Sequence, residues 1–490
     1  MGNVLKKAKK DTRTSDRNSG ERDSASPRAS RLILVLTALL VLAFLAIVPA
    51  GPQVFGSRQA FAYSRLDVKR SGERMLFIAP HPDDEGLAAA GLIQRVLKMG
   101  IDVRVVVLTA GDASAGAARA FCGSSTPTPR DFRLMGEERV RETRSALEII
   151  GLSPRDVIFL GYADGSLNSL WDANWDYGNL HVGRNGTDRS PYPFAYEKGA
   201  PCCGANLEKN LTAMFKSFKP NFVVYPDEDD AHHDHWAANA FTQYVIVRSG
   251  YRGAEYTYLV HRHDFPVPRS YAPYDYLTAP YALRHLETNW KSVPLTRHEE
   301  DIKELAIRSY KVPQMTRNTS TQSFVRRNEL FGTAESVRPE RIGRSRPDFT
   351  LPIMPYVVER DPVDDGLNAP AGGELRDISL CMGDTSIYVA LQARGSIMPD
   401  LTYAFRMRVF RGKHVDRYDI NVVGRHATCM QLARNSVLLK RRIPLEIAGA
   451  RMWISLPSSV LSGAGTCMLS VDAMNGPRRV DHSAWRRLSI

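Results

Sequence analysis

The stretch from Met75 to Gly100 constrains this chain more than any other. Met75 to Ala79 is a short apolar run ending at Pro80, and Leu87 to Leu97 is apolar nearly all round and closes at Gly100. A strand, a turn and a helix buried on all sides account for that pattern, with glycine supplying the helix C-cap. The alternation continues. Val103 to Leu108, Val157 to Leu160, Asn221 to Tyr225 and Tyr256 to Val260 read as strands, while Glu137 to Ile150, stopped by Gly151, and His235 to Val247 read as helices. Strands alternating with helices predict an α/β fold whose mostly parallel sheet is covered on both faces and whose ligand site lies beyond the carboxyl ends of the strands.

The alternation sets the domain limits. Residues 71–335 are expected to form a Rossmann-like αβ domain, residues 336–375 a linker rich in Pro, Arg, Asp and Gly, and residues 376–490 an all-β, sandwich-like domain of short strands between turns. The segment 165–204, rich in Asn, Gly, Tyr, Trp and Pro, is too long for an ordinary connection and is expected to be an ordered loop shaping a pocket.

Ahead of these lies Leu32 to Val48, seventeen residues without a charge, preceded by nine Lys/Arg in residues 1–31. The expectation is a basic cytoplasmic tail (1–31), a transmembrane helix over 32–50 and a linker (51–70), with the catalytic part outside the cell membrane. A cleaved export signal is the alternative, and would make the protein secreted. Six cysteines, all beyond the apolar run, fit an oxidising compartment that permits bridges. The chain carries a formal net charge of +12, of which residues 1–31 hold +5, leaving +7 spread over 459 residues. No arginine-rich block or aromatic-basic stripe follows, so no nucleic acid partner is expected. No oligomeric state is readable.

Two clusters carry the chemistry. The first strand runs into Pro80-His81-Pro82-Asp83-Asp84-Glu85-Gly86, which places an imidazole and three carboxylates at the end of a buried strand. Unpaired carboxylates there raise one another's pKa unless a cation or a helix N-terminus offsets them; a plain turn with an aspartate N-cap is the bland alternative. The second cluster, Asp227-Glu228-Asp229-Asp230-Ala231-His232-His233-Asp234-His235, again follows a strand. If both converge, two imidazoles and one carboxylate can hold a divalent ion and leave a position for water. A calcium loop would favour oxygen ligands, against which three histidines count. A solvated acidic loop is the reading preferred for Asp227 to Asp230.

With these residues in hand, the chain resembles the PIG-L/LmbE-like zinc-dependent de-N-acetylases over roughly Arg74 to Phe331. The resemblance rests on His81 to Glu85 and on His232-His233-Asp234-His235, with weaker matches at Thr109 to Asp112, Arg139 with Glu142, Leu160 to Gly165, and Lys303 to Gln314. It implies zinc on His81, Asp84 and His235, Asp83 as general base toward the attacking water, and His232 steadying the oxyanion or protonating the departing amine. It further implies that Arg139 and Asp164 reach the sugar, and that Asp234 orients an imidazole or caps a helix. Proline often occupies the second place of the later motif in the family, so His232 and His233 stand as alternatives there. For Arg139 the competing reading is a surface pair with Glu142, and His263 is read as a surface histidine bordering the pocket at most. The function implied is removal of an N-acetyl group from an N-acetylglucosamine-type glycoconjugate by an exported, membrane-anchored enzyme. Competing readings are a metal-dependent amidase on a non-sugar amide and an inactive envelope glycan-binding protein.

Overall fold

A computed structural model describes residues 63–66, 68, 72–284, 288–316, 319–333, 335–362, 369–433 and 436–490. Its first sheet has eight strands in the order β1-β7-β8-β6-β5-β2-β3-β4. These are β1 (Ser64–Arg65), β2 (Arg74–Ala79), β3 (Asp102–Thr109), β4 (Val157–Tyr162), β5 (Phe222–Pro226), β6 (Ala254–Tyr258), β7 (Lys291–Pro294) and β8 (Asn328–Thr333). β4, β3, β2, β5 and β6 run parallel. β8 is antiparallel to both β6 and β7. The sheet is therefore mixed, with a parallel centre and antiparallel pairing on one side.

β2 shows why the centre is parallel. Met75, Phe77 and Ala79 face one core, Leu76 and Ile78 the other, and all five are fully buried. A strand apolar on both faces is stable only between two helical layers, each large side chain contributing roughly 1.5–3 kcal/mol when fully buried. One layer holds α1 (Asp84–Lys98), α3 (Pro129–Ile150) and α7 (Arg297–Ser309); the other holds α4 (Leu167–Asp172), α5 (Gly204–Phe218) and α6 (His233–Ser249). A short α2 (Ala115–Cys122) lies against α3. The chain winds β2-β3-β4 to one side and then returns to place β5 on the other side of β2. The reversal between β2 and β5 opens a crevice at their carboxyl ends, where ligands bind in such sheets.

Beyond residue 336 the chain forms two further sheets. One runs β10 (Val357–Arg360), β11 (Leu375–Gly383), β12 (Ser386–Ala393), β18 (Arg451–Pro457), β17 (Leu445–Ala448), with β9 (Glu340–Gly343) beside β11. The other runs β16 (Ser436–Ile443), β15 (His426–Ala433), β14 (His414–Val423), β13 (Thr402–Arg411), β19 (Thr466–Asn475), β20 (Arg478–His482), with β21 (Arg486–Ser489) beside β19. Their inner faces share one core. The segment 336–375 thus contributes β9 and β10 to this region. The described residues form one compact unit. Phe410, Met468 and Trp485 enter the core around α4 and α6, which explains why α6 is buried nearly all round: the sheet covers one side and the β-rich region the other.

Two expectations are corrected. Among the described residues no helix is long and apolar enough to cross a membrane, and Leu32 to Val48 lies outside the described residues. The architecture is an α/β domain with a mixed sheet plus a β-rich region. The transmembrane helix, the membrane partner through 32–50 and the single-pass exported placement are withdrawn with it. All six cysteines are free thiols.

Candidate metal centre

β2 pairs with β5 in the register Met75 to Phe222, Leu76 to Val223 and Phe77 to Val224. The loops that follow them therefore meet, and the two sequence clusters share one site. His81 Nδ1 lies 3.2 Å from His235 Nε2. Asp84 Oδ2 lies 3.5 Å from the first of these nitrogens and 3.3 Å from the second. Ligand atoms on a tetrahedral ion with bonds of ~2.0 Å stand about 3.3 Å apart, so the triangle has the size that a divalent ion requires. Asp84 Oδ2 also accepts the backbone N–H of His81 at 2.8 Å, while Oδ1 is buried with no hydrogen-bond partner among the described residues, which leaves the carboxylate with unused acceptor capacity. The donor set fits a divalent metal ion.

The outer nitrogens of both rings face carboxylates, the arrangement that fixes the tautomer and orientation of a metal-ligating imidazole. His81 Nε2 is 3.1 Å from Asp234 Oδ2 and 3.1 Å from Asp164 Oδ1. Asp234 is itself pinned by the backbone N–H groups of Gly165 (2.7 Å) and Leu167 (2.8 Å). His235 Nδ1 is 3.2 Å from Asp230 Oδ2. Burial alone would lower both imidazoles, but Asp164 beside His81 holds it well above the usual range. Asp230 and Asp84 likewise raise His235 to about 9. The carboxylates around the two rings favour positive charge at this point.

Asp83 stands between β2 and α1 with φ of 119°, a left-handed conformation rare for a residue with a side chain and often found at functional sites. Its carboxylate meets Arg139 Nη2 at 3.1 Å. The same guanidinium donates to Pro82 O (2.6 Å) and Gly111 O (3.0 Å). Gly111 makes this approach possible: its φ is +66°, and a Cβ there would stand 2.2 Å from Arg139 Nη1. Arg139 is thus buried against Asp83 rather than forming a surface pair with Glu142, whose carboxylate accepts from Lys311 and Val312 N–H. Burial pushes Asp83 up to about 7 against the pull of Arg139.

His232 caps α6. Its Nδ1 accepts from Asp234 N–H at 3.2 Å, so the neutral ring carries its proton on Nε2. Burial, with His81 and His235 nearby, lowers it to about 4. Its ring centroid is 4.6 Å from that of His81. His233 is exposed and lines a different cavity, whereas His232 lines the cavity beside His81.

His81, Asp83, Arg139, Asp164 and His232 line a cavity of about 250 Å³ together with Leu87, Val260, Val312 and Phe324. A larger cavity of about 390 Å³ lies behind the same loop, against Arg479 and His482, and touches neither His81 nor Asp84. Two features escape the sequence reading. Asp227 and Asp230 are buried rather than solvated: Asp230 backs His235, and Asp227 accepts from Thr257 Oγ1 at 2.6 Å. The histidine bordering the site after β6 is His261, not His263. Its position at the carboxyl end of a parallel strand was the available signal.

Residues 76–246 match the family described as GlcNAc-PI de-N-acetylase. The chain is 28% identical over 169 residues to a 1D-myo-inositol 2-acetamido-2-deoxy-alpha-D-glucopyranoside deacetylase of Corynebacterium kroppenstedtii, covering 34% of this chain and 39% of that one. It is 26% identical over 174 residues to the protein of the same description in Corynebacterium efficiens, covering 35% and 49%. The chain thus spans less than half the length of these curated relatives. Among solved structures it is similar to a deacetylase of teicoplanin biosynthesis (15% identity, TM-score 0.36, 53% of this chain and 96% of that one). It is also similar to the N,N'-diacetylchitobiose deacetylase of Pyrococcus horikoshii (15% identity, TM-score 0.29, 60% and 81%). Both converging motifs lie within the segment that is similar to the GlcNAc-PI de-N-acetylase family.

Proposed function

We propose that this protein hydrolyses the N-acetyl group of an N-acetylglucosamine-type sugar in a glycoconjugate, with a zinc ion held by His81, Asp84 and His235. The observation that carries the reading is the 3.2–3.5 Å triangle of those three ligand atoms beside a cavity that also presents Asp83 and His232. The relatives named above act on a 2-acetamido-2-deoxy-glucopyranoside, which supports a sugar acetamide over other amides. The domain doing this work is assigned to residues 71–335, and the β-rich region to support of its α6 side.

When bound, a divalent ion polarises a carbonyl and acidifies water. The remaining work belongs to side chains. Asp83, at about 7, is matched to accept a proton from the attacking water near neutral pH. His232 Nε2–H faces the cavity as a donor for the acetamide oxygen as charge develops there. The proton taken by Asp83 then passes to the departing amine, leaving acetate and a free amino sugar. Arg139 engages Pro82, Gly111 and Asp83, so its role is to position the base. Asp164 orients His81 and lines the cavity, where its second task is a sugar hydroxyl. Acetate release from N-acetylglucosamine conjugates, with acyl-amino acids as the comparison and chelator with metal add-back as the control, tests the reading. Failure of metal-loaded protein to release acetate from any sugar conjugate overturns it.

A further inference from the structure

His261 follows β6, which pairs in parallel with β5, so it lies on the carboxyl edge that carries the metal centre. Its backbone N–H donates to Asp230 Oδ2 at 3.0 Å, and that same oxygen lies 3.2 Å from His235 Nδ1. One buried carboxylate therefore sets the positions of both residues. The His261 ring sits 4.6 Å from that of His235, nearly perpendicular at 87°, and 6.2 Å from that of His81. One ligand atom from each of His81, Asp84, His235 and His261 falls within 4.8 Å of all the others. His232, the other imidazole over the site, groups instead with His81 and Asp234, and its Nδ1 is already engaged by Asp234 N–H.

We propose that His261 is a fourth protein ligand for the divalent ion, completing a set of three imidazoles and one carboxylate. The proposal rests on the metal-dependent reading above. Three protein ligands leave a catalytic ion an open position, and a fourth closes a tetrahedral one unless the ion expands to five-coordination. His81, Asp84 and His235 are buried, whereas His261 is exposed. It is therefore the member of the set that can yield its place to an incoming carbonyl, while the buried three stay fixed.

The test is zinc affinity of the full chain, measured by competition with a chromophoric chelator, together with the visible absorption of the cobalt-loaded protein. His261→Ala should bind zinc at least ~10- to 100-fold more weakly, the range already seen when outer partners of ligands are lost, and its cobalt spectrum should change in intensity. His263→Ala, two residues along and exposed, should match wild type in both. His81→Ala should lose binding altogether. Wild-type affinity in His261→Ala, or weakened affinity with an unchanged cobalt spectrum, overturns the proposal while leaving the three-ligand centre intact. If wild type binds no divalent ion, or His81→Ala binds as well as wild type, the metal-dependent reading itself falls.

Discussion

Asp230 Oδ2 stands 3.2 Å from Nδ1 of His235, and the same oxygen accepts the backbone N–H of Val260 at 2.8 Å. A carboxylate clamped in this way can only present a fixed face to the imidazole, so the tautomer and angle of His235 follow from a residue five positions earlier, ahead of the helix that carries it. Asp230→Asn should keep the fold and weaken zinc binding about 10- to 100-fold, measured by chelator competition. Unchanged affinity in the variant would show that Asp230 serves packing alone.

Asp83→Asn should bind metal as wild type does and lose about 10²- to 10⁴-fold in turnover, the contribution of a positioned acid–base group. His81→Ala should lose both properties. Metal content by elemental analysis and acetate release, taken on the same samples, separate the two effects; near-normal turnover by either variant would falsify the assigned roles.

Arg139→Ala should lower kcat with little change in KM, because the guanidinium's hydrogen bonds go to Asp83 and two backbone carbonyls. Arg139→Lys should recover only part of the loss, since one ammonium cannot reproduce a fork of donors. A large rise in KM at constant kcat would mean that Arg139 binds substrate instead.

Asp472 predicts how stability responds to acid. Its carboxylate is buried, which would raise it, but Arg479 at 2.9 Å, Arg406 at 3.0 Å and His482 at 2.6 Å hold it well below the usual carboxylate range. A group depressed in the folded state contributes stability that is present above its unfolded value of about 3.9 and is lost as pH falls through the folded one. Thermal unfolding should therefore drop steeply below about pH 4. Asp472→Asn should be less stable at neutral pH and flatter with acid; parallel curves for the two proteins would contradict this.

Trp485 packs edge-on against Trp171 at 5.2 Å, with Arg408 stacked 5.2 Å over its ring. Trp485→Ala should cost about 3–5 kcal/mol, the usual range for deleting a large buried aromatic, read from denaturant unfolding. Zinc affinity should be unchanged in the folded fraction, because no ligand touches that interface.

How much of this was legible in advance differs element by element. β2, α1 and β3 could be read because runs apolar on both faces admit few structures. The candidate residues of the metal centre could be picked out because histidines and carboxylates seldom crowd the ends of buried strands without a task. Asp230 could not, since nothing local distinguishes it from Asp229. It is buried because β6 brings Val260 and His261 against it, while Arg486 of β21 reaches the neighbouring Glu228 at 3.1 Å. Arg139 has Glu142 one helical turn away, yet its partner is Asp83, fifty-six residues earlier in the chain.

The sequence by itself determined the central strands β2 to β6, the buried helices α1 and α6, and which side chains can ligate a cation, because periodicity and chemical type are local properties; it left α4 inside an expected loop and did not mark α5. Only the tertiary structure decided that β2 and β5 are neighbours, that His261 rather than His263 faces the centre, and that the acidic loop is covered. Those outcomes depend on strand order and on packing between segments far apart along the chain, where a shift of one strand position would set the same residues against different partners.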